Sequence, residues 1–520
     1  MTNKSCGVIA TGHPKTAEAG QEILKQGGNA FDAAIAAILA SFVAEPMLTS
    51  VAGGGFLLAH THKNQNILFD FFTQTPRHKK LISELNFYPI YANFGTTLQE
   101  FHIGLGSMAV PGNLAGLFHI HKRLATLPFK TLAEPAIHYA QNGIEMEPFQ
   151  AYCLNTLLKP IMIATPEAAK VFAPKGNLLQ TGDKLIMKDL AATLTYLAEK
   201  GDREFYEGEI AHQLIKDCQQ QGGHLTLEDL KNYQVIERNP LLINYRGNSF
   251  LTNPPPSSGG ALIAFALELL SQLDLTTVEF GSSRHLQILA EVMRLTNQAR
   301  KANLDGNLYQ ENIAQKFIDP ANLTPYEQAL KQTVNKWGST THISIVDKFG
   351  NAASVTTSNG EGSGYMIPGT AIMVNNMLGE EDLNPQGFHQ WPENVRISSM
   401  MAPTLVLKDN LPEIVLGSGG SNRIRTAIFQ VISNIIDFKM PVAEAVNSPR
   451  THWENDTFHL EPGFDTEAIK TTRFSENTNL VLWQEKNMFF GGVHTILSTP
   501  ELISGAGDPR RAGAVRKVHE

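Results

Sequence analysis

WGSTTHISIVDKFGNAASVTTSNG, residues 337–360, holds two alternating stretches, HISIVD and AASVTT, around the turn-forming KFGN, which is the pattern of a β-hairpin. Hydroxyl side chains stand at both open ends, with Ser339, Thr340 and Thr341 at the entrance and Thr356, Thr357 and Ser358 at the exit. β-Branching alone justifies a threonine in a strand, yet valine would serve a strand equally well. A threonine hydroxyl is a poor nucleophile until a base takes its proton, and no GxSxG elbow occurs in the chain. A cut ahead of Thr340 would supply the base, because the freed α-amine sits on the same residue as the hydroxyl. With an ordinary pKa of about 7.7–8.0 that amine is partly neutral near pH 7, where a lysine near 10.4 is not.

Upstream of the hairpin, AFDAAIAAILASFVA (Ala30 to Ala44) is too short for a membrane span and contains Asp32, so it predicts a buried helix capped by Asn29 and ended by Pro46. TAEAGQEILKQGGN predicts another helix before it, with Thr16 as cap and Gly27-Gly28 as stop. QNILFDFF is strand-like, and helical patterns dominate from Leu114 to Lys231. NPPPSSGG places Ser257 and Ser258 in a rigid turn ahead of a helix near Gly260. Downstream, TAIMVNNM, APTLVLK and PEIVLGSGG predict strands, followed by a helix over residues 423–438. Helices at both ends with clustered hairpins between favour a layered α+β body over a doubly wound parallel sheet.

Composition excludes several classes. The 520 residues exceed one ordinary core, and 42% hydrophobic with 18% charged residues is the balance of a globular protein. Lysines and arginines are scattered and the net charge is −8, so no basic footprint for nucleic acid exists. Cys6, Cys153 and Cys218 form neither a disulfide framework nor a zinc spacing. His119 and His121 point to different faces of a helical stretch, so no metal site is expected. The cysteine usage, and an N-terminus without an apolar leader core, predict a cytoplasmic address and no membrane partner.

GSTTHISIVDKFGNAASVTTSNGEGSG, then VNNM, ISSMMAPTLVL and LGSGGSNRIRTAI in order, resembles the small subunit of the γ-glutamyltransferases, self-cleaving members of the N-terminal-nucleophile hydrolases. IATGHPKTAEAGQEILKQGGNAFDAAIAA, EPMLTSVAGGGF, GSMAVPGNLAGL and NPPPSSGG resemble the large subunit, and FFGGVHTIL and GAGDPRRAGAV resemble the C-terminal end. The resemblance implies a four-layer αββα sandwich whose precursor cuts itself between Ser339 and Thr340. Residues 1–339 and 340–520 would then form one body. It implies Thr340 as nucleophile with its own amine as base, Ser358 as the hydroxyl that orients it, and Gly419 and Gly420 as the oxyanion hole, although Ser418 replaces the family's preceding proline. It further implies Ser398 and Ser399 as ligands of the substrate α-carboxylate. His342 is equally compatible with supporting the nucleophile and with packing. The reaction would be acyl transfer from a small γ-glutamyl amide to water or an amine, without a cofactor.

The acyl pocket departs from the family. Phe72 stands where an arginine pairs the donor carboxylate, Met377 where a glutamine helps hold its ammonium, and Glu380 near the aspartate's place. Asn359 takes the place of the family's asparagine in a slightly shortened segment, and the run Glu380, Glu381, Asp382 offers acids for an ammonium. A charged hydrogen bond is worth about 1.5–3 kcal/mol, so losing the arginine weakens a glutathione-type donor unless Arg77 or Arg396 reaches in. Two alternatives follow: an amidase of the same fold acting on an oxamate-like amide or an acyl side chain, and an unprocessed homologue without catalysis.

Overall fold

The computed structural model describes residues 5–93, 98–328, 340–384, 386–454, 456–475, 478–500 and 502–519; Ser339, one half of the expected cleavage bond, lies outside them. Helix α1 (Pro14–Lys25) and helix α2 (Ala30–Ala44) open the chain. Asn29 caps α2 by accepting the N–H groups of Phe31 and Asp32, and Asp32 accepts the Asn29 N–H in return, a complete capping box. Every residue of α2 is buried, which is why its sequence is apolar on all faces. Helix α1 starts earlier than expected. Pro14 presets the first turn and the His13 ring Nδ1 accepts the Lys15 N–H (3.0 Å), so His13 is the cap. Thr16 instead lies inside the helix.

The strands of the two large sheets are β1 (Ser5–Thr11), β2 (Gly54–His60), β3 (Asn66–Phe71), β4 (Ile236–Arg238), β5 (Leu241–Tyr245), β6 (Asn248–Thr252), β7 (Thr341–Asp347), β8 (Ala352–Ser358), β9 (Thr404–Lys408), β10 (Leu411–Gly419), β11 (Gly492–Ser498), β12 (Ile503–Ala506) and β13 (Ala514–His519). They form one sheet in the order β13-β1-β7-β8-β2-β3-β4 and another in the order β12-β11-β10-β9-β6-β5, antiparallel throughout. Alternation along β7 assigns its faces: Ile343 and Ile345 join the core with α1 and α2, whereas Val346 joins the core between the sheets. Helices α3 (Gly259–Ser271) and α5 (Arg423–Ile436) cover the outer face of the second sheet, and α4 (Ser283–Ala299) packs beside α3. The result is the expected α+β sandwich of four layers, αββα. Both sheets contain strands from each side of residue 340, so each segment completes sheets begun by the other.

Of the expected strand TAIMVNNM, Ile372–Met373 pairs with Met366–Ile367 and Val374 makes a single bridge to Ala52. Asn375 ends it because its side-chain amide takes over backbone duty, donating to the carbonyls of Ala52 (2.9 Å) and Ala109 (3.0 Å) and accepting the Met377 N–H (3.2 Å). His119 and His121 have separate partners, Glu237 (2.9 Å) and the Leu127 carbonyl (2.8 Å). Among the described residues no helix is long and apolar enough to cross a membrane.

Candidate active site

The site is set by the hairpin register. Asp347 accepts the N–H groups of Phe349 (2.8 Å) and Asn351 (3.0 Å), which fixes the turn. Pairing then runs outward to His342↔Thr356 and Thr341↔Thr357, so the next position brings Thr340 opposite Ser358. Thr340 is 5% exposed and Ser358 is equally buried, and the Ser358 hydroxyl accepts the Gly360 N–H (3.0 Å). Gly53 permits this packing: a Cβ there would come within 2.4 Å of the Ser358 carbonyl oxygen.

From the second sheet, β10 ends at Gly419 and leads through Gly420 into α5, turning the positive end of that helix toward this corner. A Cβ on Gly419 would lie 2.0 Å from the Thr340 carbonyl oxygen, and Gly420 has φ +122°, so both positions require glycine. Arg511 donates through Nη1 to the same Thr340 carbonyl (3.3 Å) and through Nη2 to the Met488 carbonyl (3.4 Å).

Thr340, Ser358, Glu380 and Ser399 line one small cavity, together with Phe72, Met377, Asp382, Ser421 and the Met400-Met401 pair. Its space is about 20 Å³, enough for a single water, so an acyl group enters only as wall side chains move. The flexible methionines suit that role. A larger cleft of about 570 Å³ lies among Leu269, Ile288, Trp453 and Phe474 but contains none of the sequence-predicted site residues.

Other expected residues lie elsewhere. Asn359 is spent on the framework: its Oδ1 faces the Ser50 hydroxyl (3.0 Å), and its carbonyl accepts the Asn376 N–H (3.3 Å). Glu381 is exposed, because residues 381–383 form a single 3₁₀ turn that sends Glu381 outward and Asp382 inward. Asp382 accepts from the Ser421 hydroxyl and from Asn422 (3.2 Å). Ser398 is half-buried outside the cavity, while the Ser399 hydroxyl accepts the Met401 N–H (3.0 Å). His342 does not meet Thr340. Ser344 donates its hydroxyl to the His494 carbonyl (3.0 Å), so the His342 Nε2–H donates to Ser344 (2.9 Å) and Nδ1 accepts from Thr356 (2.8 Å). Burial holds that imidazole neutral, well below its usual range, and nearby His494 adds to the effect.

Neither arginine offered for the acyl pocket reaches it. Arg396 is ion-paired to buried Asp70 (3.2 Å) and donates to the carbonyls of Phe72 (2.5 Å) and Gln234 (2.6 Å). The Phe72 carbonyl also accepts from Tyr233 (2.7 Å), and its ring stacks on Phe56 at 5.4 Å. Arg77 lies 4.0 Å from Glu228. Among the described residues, no lysine or arginine lines the cavity. Burial, with Glu361 and Asp382 adding repulsion, raises the Glu380 carboxyl well above its ordinary range. Burial and Glu454 raise Asp382 to about 6, against the Ser421 hydrogen bond and the charges of Arg423 and Arg300.

Two further groups touch the hairpin without having been singled out from sequence. One is Arg511, in the segment GAGDPRRAGAV; the other is Glu45, in EPMLTS, which accepts the Thr341 hydroxyl (2.5 Å) and the Thr16 hydroxyl (2.7 Å). Burial pushes Glu45 up to about 7, while those hydroxyls and Arg511 pull it down. Only the segments were visible in the sequence, and the pairings were not.

Thr340 thus stands at a strand start, faced by the Ser358 hydroxyl and by a glycine turn. Residues 16–518 match the gamma-glutamyltranspeptidase family model. The chain belongs to the gamma-glutamyltranspeptidase family. It is 31% identical to a glutathione hydrolase proenzyme of Escherichia coli, over 97% of this chain and 90% of that protein. It is 32% identical to an acylase ACY 1 proenzyme of a Pseudomonas species, over 98% and 93%. A cephalosporin acylase structure from Bacillus halodurans shares the fold with a TM-score of 0.87 at 24% identity, covering 99% of this chain and 96% of that one. As a member of this family it is an N-terminal-nucleophile type of enzyme.

Proposed function

We propose that the chain cuts itself between Ser339 and Thr340, and that the new N-terminal threonine hydrolyses or transfers the acyl group of γ-glutamyl amides of the glutathione type. In the first stage the Thr340 Oγ adds to the Ser339 carbonyl carbon as its proton leaves. The C–N bond then breaks and the nitrogen takes up a proton, which leaves an ester. Water hydrolyses that ester into a Ser339 carboxylate and a free Thr340 hydroxyl. In the second stage the α-amine takes the hydroxyl proton while Oγ attacks the substrate amide, and the amine returns the proton to the leaving nitrogen. Water or an acceptor amine releases the acyl group. Gly419 and Gly420 would stabilise the oxyanion in both stages.

The observation that carries this reading is the meeting of Thr340 with Ser358 across the hairpin and with Gly419 from the other sheet. The relatives named as glutathione hydrolase and acylase proenzymes support it. Buried free thiols at Cys153 and Cys218 support a reducing, cytoplasmic setting. Nucleic acid and membrane have no part in this reading.

Intact-mass analysis tests it. The purified chain gives two pieces with the break after residue 339, and Thr340→Ala stays whole; a single full-length species that never processes rejects the mechanism. A second reading, hydrolysis of an amide whose acyl group has no α-carboxylate, is favoured by Phe72 and by the engagement of Arg396 with Asp70. Turnover of simple acyl anilides by processed protein that ignores the γ-glutamyl anilide selects it.

A further inference from the structure

The turn after α2 grips the nucleophile hairpin at three points. Glu45 accepts the Thr341 hydroxyl (2.5 Å), Thr49 donates to the Thr357 hydroxyl (3.1 Å), and the Ser50 hydroxyl, which donates to the Met373 carbonyl (2.6 Å), lies 3.0 Å from Asn359 Oδ1. Thr341 and Thr357 are cross-strand partners, so the grip closes on both strands at one level, immediately inside Thr340 and Ser358. The Thr340–Thr341 peptide is thereby pinned from two sides, its carbonyl by Arg511 (3.3 Å) and the following side chain by Glu45. Gly12 keeps the contact open, since a Cβ there would stand 2.6 Å from Glu45 Oε2 and 2.9 Å from Thr341 Oγ1.

We propose that Glu45 is a positioning residue for Thr340: through Thr341 it holds the start of β7 so that Thr340 keeps its place opposite Ser358 and against Gly419. The proposal rests on the reading of Thr340 as nucleophile. Both carboxylate oxygens are used as acceptors, one for Thr16 (2.7 Å) and the other for Thr341. A protonated Glu45 would donate through one oxygen, so one threonine hydroxyl would change from donor to acceptor and the charge-assisted grip would weaken. The groups facing it are Thr16 of α1, Thr341 of β7, His494 of β11, whose ring borders the same Gly12 space, and Arg511. Burial holds His494 near 4, which leaves Arg511 as the cation favouring the carboxylate. With Glu45 raised to about 7, its ionised, gripping form grows as pH rises through neutrality.

The test follows fresh precursor from cell-free synthesis, scoring the rate of self-cleavage on gels, and then kcat and KM of the matured enzyme on a γ-glutamyl anilide between pH 6 and 9. Thr341→Val and Glu45→Gln should slow the cut at least about tenfold and lower kcat, with KM within about twofold. Thr341→Ser, which keeps the hydroxyl, should recover to within about threefold of wild type. The Thr340 amine gives every variant a kcat limb near its ordinary pKa of about 7.7–8.0, and the additional Glu45 component near pH 7 should be lost in Glu45→Gln, so that the midpoint moves toward the amine's. Valine and serine variants that cut and turn over equally fast overturn the proposal, as does a Glu45→Gln enzyme whose limb keeps the wild-type midpoint. If Glu45→Gln does not fold, the Thr341 pair decides alone. A wild-type chain that never cuts overturns the nucleophile reading, and this proposal with it.

Discussion

The Thr340 edge of the cavity and its Phe72 edge belong to the same sheet, yet they are built differently. Around Thr340 the polar groups are tightly paired: Thr341 with Glu45, Thr357 with Thr49, Ser358 with Gly360, and the Thr340 carbonyl with Arg511. Around Phe72 the charges of Asp70, Arg396 and Arg238 are paired with one another away from the cavity, leaving it one aromatic ring, three methionines and two carboxyls of raised pKa. With Thr340 as the proposed nucleophile, the machinery for breaking an amide is fixed by hydrogen bonds at one edge, whereas the wall proposed to meet the acyl group is loose at the other. The difference teaches that chemistry and donor choice are separable here, because they draw on different residues of one sheet.

Four substitutions and one titration probe that separation. Thr340→Ala should abolish cutting and lower turnover by about four orders of magnitude or more, measured by gel and anilide release. Gly419→Ala should follow, with cleavage slowed about 10²–10³-fold in a gel time course, since its Cβ would displace the Thr340 carbonyl. On the other edge, Arg396→Met should cost about 3 kcal/mol in urea unfolding by stranding part of the Asp70 charge, while KM for the γ-glutamyl anilide stays within about threefold. A large rise in KM would show that Arg396 reads the donor after all and would break the contrast. Removing the α-carboxylate from the donor, as in a 4-aminobutyryl anilide, should cost less than about tenfold in kcat/KM, below the usual worth of a charged hydrogen bond. Ser358→Thr should be nearly silent, within about threefold in kcat.

The titration addresses stability. His13, His285, His452 and His494 are buried and held near 4, below their ordinary 6.5. For bases depressed in the folded state, stability is fully present above pH 6.5 and lost as pH falls toward 4. Thermal melts should therefore fall steeply between those values. Glu45 acts with the opposite sign: raised from 4.5 to about 7, it stabilises below 4.5 and that contribution is lost as pH rises through 7. Its window, pH 4.5 to 7, overlaps that of the histidines with the opposite slope, so Glu45→Gln should steepen the fall of the melting profile on acidification.

What could be read from sequence followed the range of the interaction. Asn29 capping α2 and Thr340 meeting Ser358 across a short turn are decided by near neighbours, so they were legible. The fold class followed from the order of helices and hairpins. The inward turn of Asp382 rather than Glu381 was hidden, because a single 3₁₀ turn has no repeat to betray which side faces in. The use of Asn359 on Ser50, of Arg396 on Asp70, and of Glu45 on Thr341 was hidden for another reason. Those partners stand 309, 326 and 296 positions away, and no local pattern encodes the choice.

The sheet order β13-β1-β7-β8-β2 interlaces the segments before and after residue 340 like fingers of clasped hands. Strand β1, from the first segment, is trapped between β13 and β7, both from the second. Once the chain is cut, neither piece can withdraw without stripping hydrogen bonds from two neighbours. Maturation therefore changes the connectivity of the polypeptide while leaving its architecture locked, and the pair should migrate together on a sizing column until a denaturant parts them.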